Sequence, residues 1–410
     1  MQASGGATHP NRSTLTNPAG TTVDLPSCST PTPAHGFMKK VDILYVGFVS
    51  GHGGDAMFML ELASGMKKRG KRVEVIIPTT PQADLFLDLC REHGLTASKD
   101  MRLMDGGNGA LWRRIGFFLR HRAPVVHLHT GDHYLSRTTL LALDAIQYRR
   151  VFVTVQNPYD QCRSRYWVNA APRRLHAVIC PSDHGRQTQL GYGLPSTLIR
   201  TIHNGIDAKR FQSGHPATPF TLLGLPPESR LIVCSSRLDS QKRPMDALRV
   251  FSLLAGEFPE IHLAFLGEGG LRPELEKLTL ESGLTERVHF LGFQDNIPDW
   301  LAAATVWYFP TERENFSLAV LEAMAAGCPI LSTRCPGNNE IFIDGQNALI
   351  TDVGDLQAQT DSLRRLLLDE TLRIHLGEGA RRSSAEHSME RVLDQHEDCY
   401  QLAVGGGPAK

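Results

Sequence analysis

Two glutamates, Glu314 and Glu322, lie on one polar loop and the helix that follows it, and their spacing is the first sign of chemistry in this chain. Residues 305–309 predict a buried strand, and the helix is predicted to begin near Ser317 and to end at Gly327. A helix start offers unsatisfied N–H groups and a partial positive charge, which suit a phosphate. A carboxylate would repel phosphate, so Glu314 is expected to face neutral donors such as sugar hydroxyls, while Glu322 reaches a second part of the same ligand. The alternative is an ordinary amphipathic helix that happens to carry two glutamates.

A second loop carries two cations, Arg237 and Lys242, five positions apart after the predicted strand 231–235. Cations on a loop at the carboxyl end of a strand can converge on a diphosphate, which a single charge would hold poorly. The alternative is a pair of solvated loop cations.

A third loop, at Gly53 and Gly54, separates the first predicted strand from the first predicted helix. Glycine lets the backbone approach a phosphate closely, although two glycines also serve any tight turn. The spacing does not match G-x-G-x-x-G, which counts against a nicotinamide or flavin enzyme.

Together these segments carry a family resemblance. Glu314 and Glu322, with seven residues between them and Ala-Met-Ala-Ala-Gly-Cys-Pro after them, resemble the E-x7-E signature of retaining glycosyltransferases of the GT-B fold, in particular family 4. The stretch from Ser236 to Arg243 resembles the family's G-R-L-x-x-x-K-G segment, with those two residues at the glycine positions. Residues 203–207 match the family's N-G-(I/V)-D turn. The resemblance covers about residues 38–400.

The resemblance implies transfer of a sugar from a nucleoside diphosphate, with retention and without a metal or other cofactor. Arg237 and Lys242 would neutralise the diphosphate, Glu314 would orient the sugar, and Glu322 would hold the ribose. The other donor-binding positions it implies are Gly53, Gly54, Gly267, Phe293, Asn315, Phe316 and Ser317. A UDP-sugar such as UDP-GlcNAc or UDP-glucose is the favoured donor, although no residue in the sequence identifies the base.

Gln156 departs from the pattern, because family members commonly carry a histidine after this strand, close to the donor sugar. Glutamine can donate and accept hydrogen bonds but cannot titrate. Two readings stay open: Gln156 is a hydrogen-bonding catalytic substitute, or it impairs turnover.

The acceptor is expected to be a small soluble molecule with a reactive hydroxyl, bound against the N-terminal domain. His129, Asp132 and Asp160 are the candidate contacts. The two aspartates could meet an amine-bearing acceptor such as an aminocyclitol or another natural-product intermediate, or they are solvated loop residues.

Alternation of apolar strands with helical segments predicts an α/β protein with two Rossmann-like, doubly wound parallel sheets facing across a cleft. We expect a disordered leader at 1–37, an acceptor domain at 38–205 and a donor domain at 206–384. A last helix, at about 385–404, is expected to cross back onto the N-terminal domain.

Composition excludes several classes. The 410 residues have a formal net charge of +0, which argues against a nucleic-acid partner. The 8 cysteines lack metal-ligand spacing, so we expect a reduced, cytoplasmic protein without a metal site. The sequence has no run of about 18 apolar residues and no lysine-rich amphipathic helix, so neither a membrane span nor peripheral membrane contact is expected. Oligomeric state is not predicted.

Two other functions stay open at this point. One is a nucleotide-sugar 2-epimerase of the same fold, which needs no acceptor. The other is a non-catalytic GT-B subunit that binds donor without turnover, and Gln156 is the residue that supports it.

Overall fold

A computed structural model describes residues 15–16, 22–23, 41–48, 53–81, 83–104, 109–130, 136–148, 150–157, 165–226 and 228–405. The chain divides into two compact units, residues 1–40 and 41–410. In the first, strands β1 (Leu15–Thr16) and β2 (Thr22–Val23) pair antiparallel. The leader predicted at 1–37 otherwise lies outside the described residues and stays a prediction.

The described part of the N-terminal half builds a seven-stranded parallel sheet. Its strands are β3 (Ile43–Phe48), β4 (Val73–Pro78), β5 (Thr96–Asp100), β6 (Val125–Thr130), β7 (Val151–Val155), β8 (Ala177–Cys180) and β9 (Ile199–Thr201). The helices that connect them are α1 (Gly54–Lys68), α2 (Ala83–Glu92), α3 (Ala110–Arg120), α4 (Arg137–Ala145), α5 (Arg165–Arg174) and α6 (Asp183–Gly191). Every residue of β3 is buried, because helices cover both faces of a parallel sheet.

The C-terminal half builds a six-stranded parallel sheet from its described residues. Its strands are β10 (Arg230–Ser235), β11 (Ile261–Leu266), β12 (Val288–Gly292), β13 (Ala304–Phe309), β14 (Ile330–Thr333) and β15 (Leu349–Thr351). Its helices are α7 (Ala208–Phe211), α8 (Ala217–Leu223), α9 (Pro244–Leu254), α10 (Arg272–Glu281), α11 (Ile297–Ala303), α12 (Leu318–Ala326), α13 (Leu356–Leu368) and α14 (Glu370–Ser384). A last helix, α15 (Met389–Gly405), follows.

The strand orders are β5-β4-β3-β6-β7-β8-β9 and β12-β11-β10-β13-β14-β15. The predicted α/β class, with two doubly wound parallel sheets, is therefore confirmed. In each sheet the order reverses beside its first strand, between β3 and β6 and between β10 and β13. Loops leave such a switch point in opposite directions and open a crevice at the carboxyl ends of the strands. Among the described helices, none combines the length and the apolar character needed to span a bilayer.

Helix α15 packs on the N-terminal sheet through a buried polar layer. The Tyr400 hydroxyl lies 2.5 Å from Nδ1 of His127, whose Nε2 lies 2.7 Å from Oγ1 of Thr154. His396, also on α15, is buried and places Nδ1 2.8 Å from the carbonyl oxygen of Val392. Because these groups come from β6, β7 and α15, their hydrogen bonds fix the seat of the helix on the sheet.

Three histidines of this layer are held neutral by burial. Burial lowers the pKa of His129 to about 3 and that of His396 to about 4, and it lowers the pKa of His127 well below its usual value. The rings of His127 and His129 lie with centroids 4.3 Å apart and are tilted by 35°, so a charge on either ring would oppose a charge on the other. The layer is stable only while its histidines are uncharged.

Acid should therefore destabilise the protein before its carboxylates are protonated. Below the histidine pKa of the unfolded chain, about 6.5, these histidines bind protons in the unfolded state but not in the folded state. The free energy of unfolding therefore falls as pH falls. Between about pH 7.5 and pH 5.5 each buried histidine should remove about 1.4 kcal/mol from the free energy of unfolding. Urea unfolding at the two pH values measures the loss.

The substitution His396→Gln should reduce this acid-dependent loss, because glutamine does not titrate. The matched control is His375→Gln, which changes an exposed histidine of α14 and should leave the loss unchanged. Equal losses in the two variants would contradict the assignment.

Candidate functional site

The loops that follow β10 and β13 come together at the switch point of the C-terminal sheet. We call residues 310–317, between β13 and α12, the Glu314 loop. Gln241, on the loop after β10, donates from Nε2 to the carbonyl oxygen of Arg313 at 2.7 Å. Its own carbonyl oxygen accepts from the N–H of Glu312 at 2.8 Å. These two hydrogen bonds hold the predicted cation loop and the predicted carboxylate loop in one fixed arrangement.

The centre of the site is an ion pair between Lys242 and Glu314. Glu314 is only 8% exposed, and its Oε1 also accepts a hydrogen bond from Oγ1 of Thr311 at 2.8 Å. The Lys242 ammonium lies 5.2 Å from the ring centroid of Phe309, at the end of β13. A carboxylate buried this deeply needs such partners, because an unpaired buried charge is strongly destabilising.

The side chains of the two predicted cations pair with different carboxylates. Arg237 pairs with Asp239 at 3.1 Å, and its side chain is 54% exposed. The N–H of Lys242 donates to the other oxygen of Asp239 at 3.1 Å, so this aspartate shapes the loop. In the structure Lys242 therefore pairs with Glu314, whereas Arg237 lies on the exposed side of the site.

Two helix starts meet beside this loop. Ser317 precedes α12 in an extended conformation, and no side chain among the described residues caps that helix. Gly53 precedes α1, and a Cβ built on Gly54 would lie 3.9 Å from Cδ1 of Leu318, the first residue of α12. The starts of two helices therefore lie close together, and a helix start favours an anion.

Glu322 lies one helical turn into α12 and is partly buried. Burial raises its pKa to about 7, a shift that Arg210 opposes and Glu61 supports. Arg210 and Glu61 are themselves 3.9 Å apart. The structure therefore surrounds this carboxylate with α1 and α7 as well as with its own helix.

The predicted residues Asn315, Phe316 and Gln156 meet between the two sheets. The Asn315 amide donates to the carbonyl oxygen of Gln156 at 2.8 Å. Asn204 donates to the carbonyl oxygen of Phe316 at 2.8 Å and lies 3.4 Å from the Gln156 side chain in both directions. The Phe316 ring stacks on His203 with centroids 4.7 Å apart. The sequence predicted a turn at 203–207 but did not reveal that Asn204 connects Gln156 to the Glu314 loop.

The remaining predicted donor-binding residues, Gly267 and Phe293, follow β11 and β12 at the carboxyl edge of the C-terminal sheet. Gly267 forms an isolated bridge with Gly292, and Phe293, the next residue, is 53% exposed. A Cβ at Gly267 would come within 2.1 Å of the Ser236 carbonyl oxygen, so this segment packs against the start of the cation loop.

Of the candidate acceptor residues, the structure describes one. His129 is fully buried in β6, within the polar layer under α15, and has no hydrogen-bond partner among the described residues. Its predicted acceptor contact stays a prediction. Asp132 and Asp160 lie outside the described residues.

Glu340 is a contact that the sequence did not reveal. Its oxygens accept from the N–H groups of Asp183 at 2.8 Å and His184 at 2.7 Å, at the start of α6. Burial raises the pKa of Glu340, but nearby His203, at 3.6 Å, and the hydrogen bonds from those N–H groups outweigh burial and hold the pKa below its usual value. Asp183, His203 and Glu340 form the one group of three metal-type side chains within the described residues, with ligand atoms within 4.8 Å of one another. Both carboxylate oxygens of Glu340 already accept hydrogen bonds from N–H groups of α6.

Arg243, at a position where the resembled segment has glycine, adopts the left-handed conformation (φ 50°, ψ 46°). It precedes α9, and its Nε lies 2.6 Å from Oδ2 of Asp246 in the first turn. A side chain in this region of φ costs about 1 kcal/mol relative to glycine. The ion pair to Asp246 compensates for part of that strain.

Comparison with known proteins finds the same glycosyltransferase family that the sequence motifs resemble. The family described as "Glycosyl transferases group 1" matches residues 221–383, and "Glycosyltransferase Family 4" matches residues 52–210. The lipopolysaccharide core biosynthesis mannosyltransferase LpsB of Rhizobium meliloti is 30% identical over 282 residues, which cover 65% of this chain and 76% of that protein.

N-acetyl-alpha-D-glucosaminyl L-malate synthase of Bacillus anthracis is 30% identical over 207 residues, which cover 50% of this chain. The matched stretch spans about half of that relative's length, 54%. Among solved structures, Anabaena HepE in complex with UDP and glucose superposes with a TM-score of 0.75 at 18% identity, covering 87% of this chain and 98% of that one. At this identity the likeness establishes the GT-B fold.

The strain at Arg243 can be measured with two substitutions that remove the same ion pair. Arg243→Gly loses the contact to Asp246 and relieves the left-handed strain, whereas Arg243→Ala loses the contact and keeps the strain. In urea unfolding, the glycine variant should be more stable than the alanine variant by about 1 kcal/mol. An alanine variant of equal or greater stability would show that the position carries no strain.

Proposed function

The chain belongs to the group 1 glycosyltransferases, family 4, and from that premise we propose that it transfers a sugar from a nucleoside diphosphate to a hydroxyl of a small soluble acceptor, with retention of anomeric configuration. The observation that carries this proposal is the buried Lys242–Glu314 pair beside the start of α12. It offers a fixed carboxylate for sugar hydroxyls next to N–H groups suited to a diphosphate.

Negative charge develops on the diphosphate as the bond to the sugar loosens, so groups that are already in place lower the barrier. Arg237 is the exposed cation that can turn to the incoming diphosphate, and the N–H groups of Asn315, Phe316 and Ser317 supply the rest. Lys242 contributes a positive charge while it holds Glu314 in place. Loss of one such donor costs about 3 kcal/mol of transition-state stabilisation in comparable sites.

Glu314 orients the donor sugar, and Glu322 holds the ribose. A ribose hydroxyl can accept a hydrogen bond from Glu322 or donate one to it, so the raised pKa of this carboxyl, about 7, suits either protonation state. Gly53, Gly54, Gly267 and Phe293 complete the donor site. The leaving phosphate then helps to deprotonate the acceptor hydroxyl on the same face of the sugar.

Uridine is our choice of nucleobase, because the superposable Anabaena protein HepE was solved with UDP and glucose. We assign no divalent metal, since Arg237, Lys242 and two helix starts supply positive charge where the diphosphate would lie. A reducing, cytoplasmic setting fits the described cysteines, which no disulfide joins. An aminocyclitol is the acceptor class that Asp132 and Asp160 would suit.

Thermal stabilisation by nucleotides tests the donor site directly, because a ligand that binds the folded state raises the melting temperature. A UDP-sugar at about 100 times its dissociation constant should add about 2.7 kcal/mol of stability, with and without EDTA. Arg237→Ala should remove most of this gain. Arg249→Ala, an exposed arginine on α9, is the control and should keep it. No stabilisation by any nucleotide sugar would overturn the proposed donor site.

Gln156 decides between an active enzyme and a binding subunit. Its amide meets Asn204, which holds the Glu314 loop, so we expect Gln156→His to disturb this contact and to lower turnover about 10-fold. Compared with the natural enzyme, the variant should gain an additional titration in its pH profile near the pKa of histidine, about 6.5. Increased turnover in Gln156→His would instead identify glutamine as a brake and favour the non-catalytic alternative.

A further inference from the structure

The Glu314 loop is confined between two glycines from different halves of the molecule. A Cβ at Gly337, whose φ is +82°, would lie 2.1 Å from the carbonyl oxygen of Asn315. On the other side, a Cβ at Gly185 in α6 would lie 2.9 Å from Oδ1 of Asn315. A side chain at Gly337 would displace the backbone of the loop, and one at Gly185 would displace the Asn315 side chain. The loop's own domain therefore packs against the backbone of Asn315, and the N-terminal half packs against its side chain.

The amide of Asn315 uses both of its ends on the N-terminal half. Its Nδ2 donates to the carbonyl oxygen of Gln156 at 2.8 Å, and its Oδ1 accepts a hydrogen bond from Oγ of Ser182. Ser182 is buried, and its Oγ accepts in turn from the N–H of Gly185 at 2.8 Å, which caps α6. This direction of donors and acceptors fits an asparagine: an aspartate could not donate to the Gln156 carbonyl.

Two further sets of hydrogen bonds join the two halves near Asn315. Glu340 binds the first N–H groups of α6 from the C-terminal half, and Asn204 binds the carbonyl oxygen of Phe316 from the N-terminal half. The side chain of Asn315 is thus held by hydrogen bonds to groups outside its own domain. Glu314 itself is fixed by Lys242 and Thr311, inside its own domain.

We infer that Asn315 is a positioning residue, which with Ser182 forms a clasp that sets residues 315–317 of the Glu314 loop only when the two halves are together. This inference rests on the proposed transfer reaction and adds to it a link between closure of the halves and the N–H groups at the start of α12. Opening the halves separates Asn315 from Ser182 and Gln156, and residues 315–317 lose the contacts that aim their N–H groups, while Lys242 and Thr311 keep the Glu314 carboxylate in place. The clasp therefore ties donor chemistry to the closed form, which excludes water.

Amide hydrogen exchange tests the clasp without any need for activity. In Asn315→Ala and in Ser182→Ala, the amides of residues 314–318 should exchange about 10-fold faster than in the natural protein. Ser182→Ala also removes a helix cap, so the matched control is Ser136→Ala. Ser136 caps α4 in the same half in the same way, and its loss should leave the loop's exchange unchanged.

Transfer kinetics provide the second measurement. Each single variant should lower kcat about 10-fold to 100-fold, with a much smaller change in KM, because the donor still binds but is misaligned. The double variant should be no more than about 2-fold worse than the worse single variant, since both remove the same contact. Merely structural damage would instead lower stability and affect KM and kcat together.

Unchanged exchange at 314–318 in Asn315→Ala would overturn the clasp, and so would single-variant losses in kcat that multiply in the double variant. If the natural protein transfers no sugar, the proposed reaction fails, and the exchange experiment still decides whether the contact between Asn315 and Ser182 holds the loop. Faster exchange together with a loss of kcat supports both.

Discussion

Burial of one carboxylate is the constraint on which the site depends. Glu314 sits at the carboxyl end of the C-terminal sheet with 8% of its surface exposed, and a charge there must have a partner. Lys242 comes from the loop after β10, and Thr311 comes from the Glu314 loop itself. Because Lys242 belongs to a different strand connection, neutralising Glu314 obliges two loops to meet. The additional hydrogen bonds of Gln241 keep them together.

The parallel sheet makes this meeting possible. β10 and β13 are neighbours in space although β11 and β12 lie between them in sequence. The loops that follow them leave at the same edge, and a helix start lies at the end of one of them. The N-terminal sheet repeats the arrangement at β3 and β6, where α1 begins at Gly54. Each sheet thus brings the loops of two non-consecutive strands together at its carboxyl edge.

Polar contacts also hold the two halves of the chain together. The buried layer of His127, Thr154 and Tyr400 holds α15 on the N-terminal sheet, although α15 follows the C-terminal sheet in sequence. Arg69 reinforces the seat from α1 through ion pairs to Glu390 and Asp394 on α15. Hydrogen bonds need defined directions, so such a layer selects one position for the helix where an apolar surface would tolerate several.

The sequence alone predicted much of the fold because apolar runs mark buried parallel strands. Strand β13 and the glycine-bounded helix α12 are predicted to within about one residue. Strand β5 is not predicted, because Thr96–Asp100 lacks the apolar run that marks a buried strand. This strand lies at the edge of its sheet, where its side chains are largely exposed. Helix α14 was missed as well, because its mean hydropathy is low and it follows α13 directly.

The sequence by itself determined the chemical types at the site: a pair of glutamates, two loop cations, glycines at helix starts and a glutamine without a titrating ring. Only the tertiary structure decided their partners. It gave Lys242 to Glu314 and Arg237 to Asp239, where spacing alone had joined the two cations. It also joined Asn315 to Ser182, which lie 133 positions apart in the chain. Residue type fixes which interactions are possible, but distance fixes which ones form, and distances between loops are set by the order of strands in the sheets.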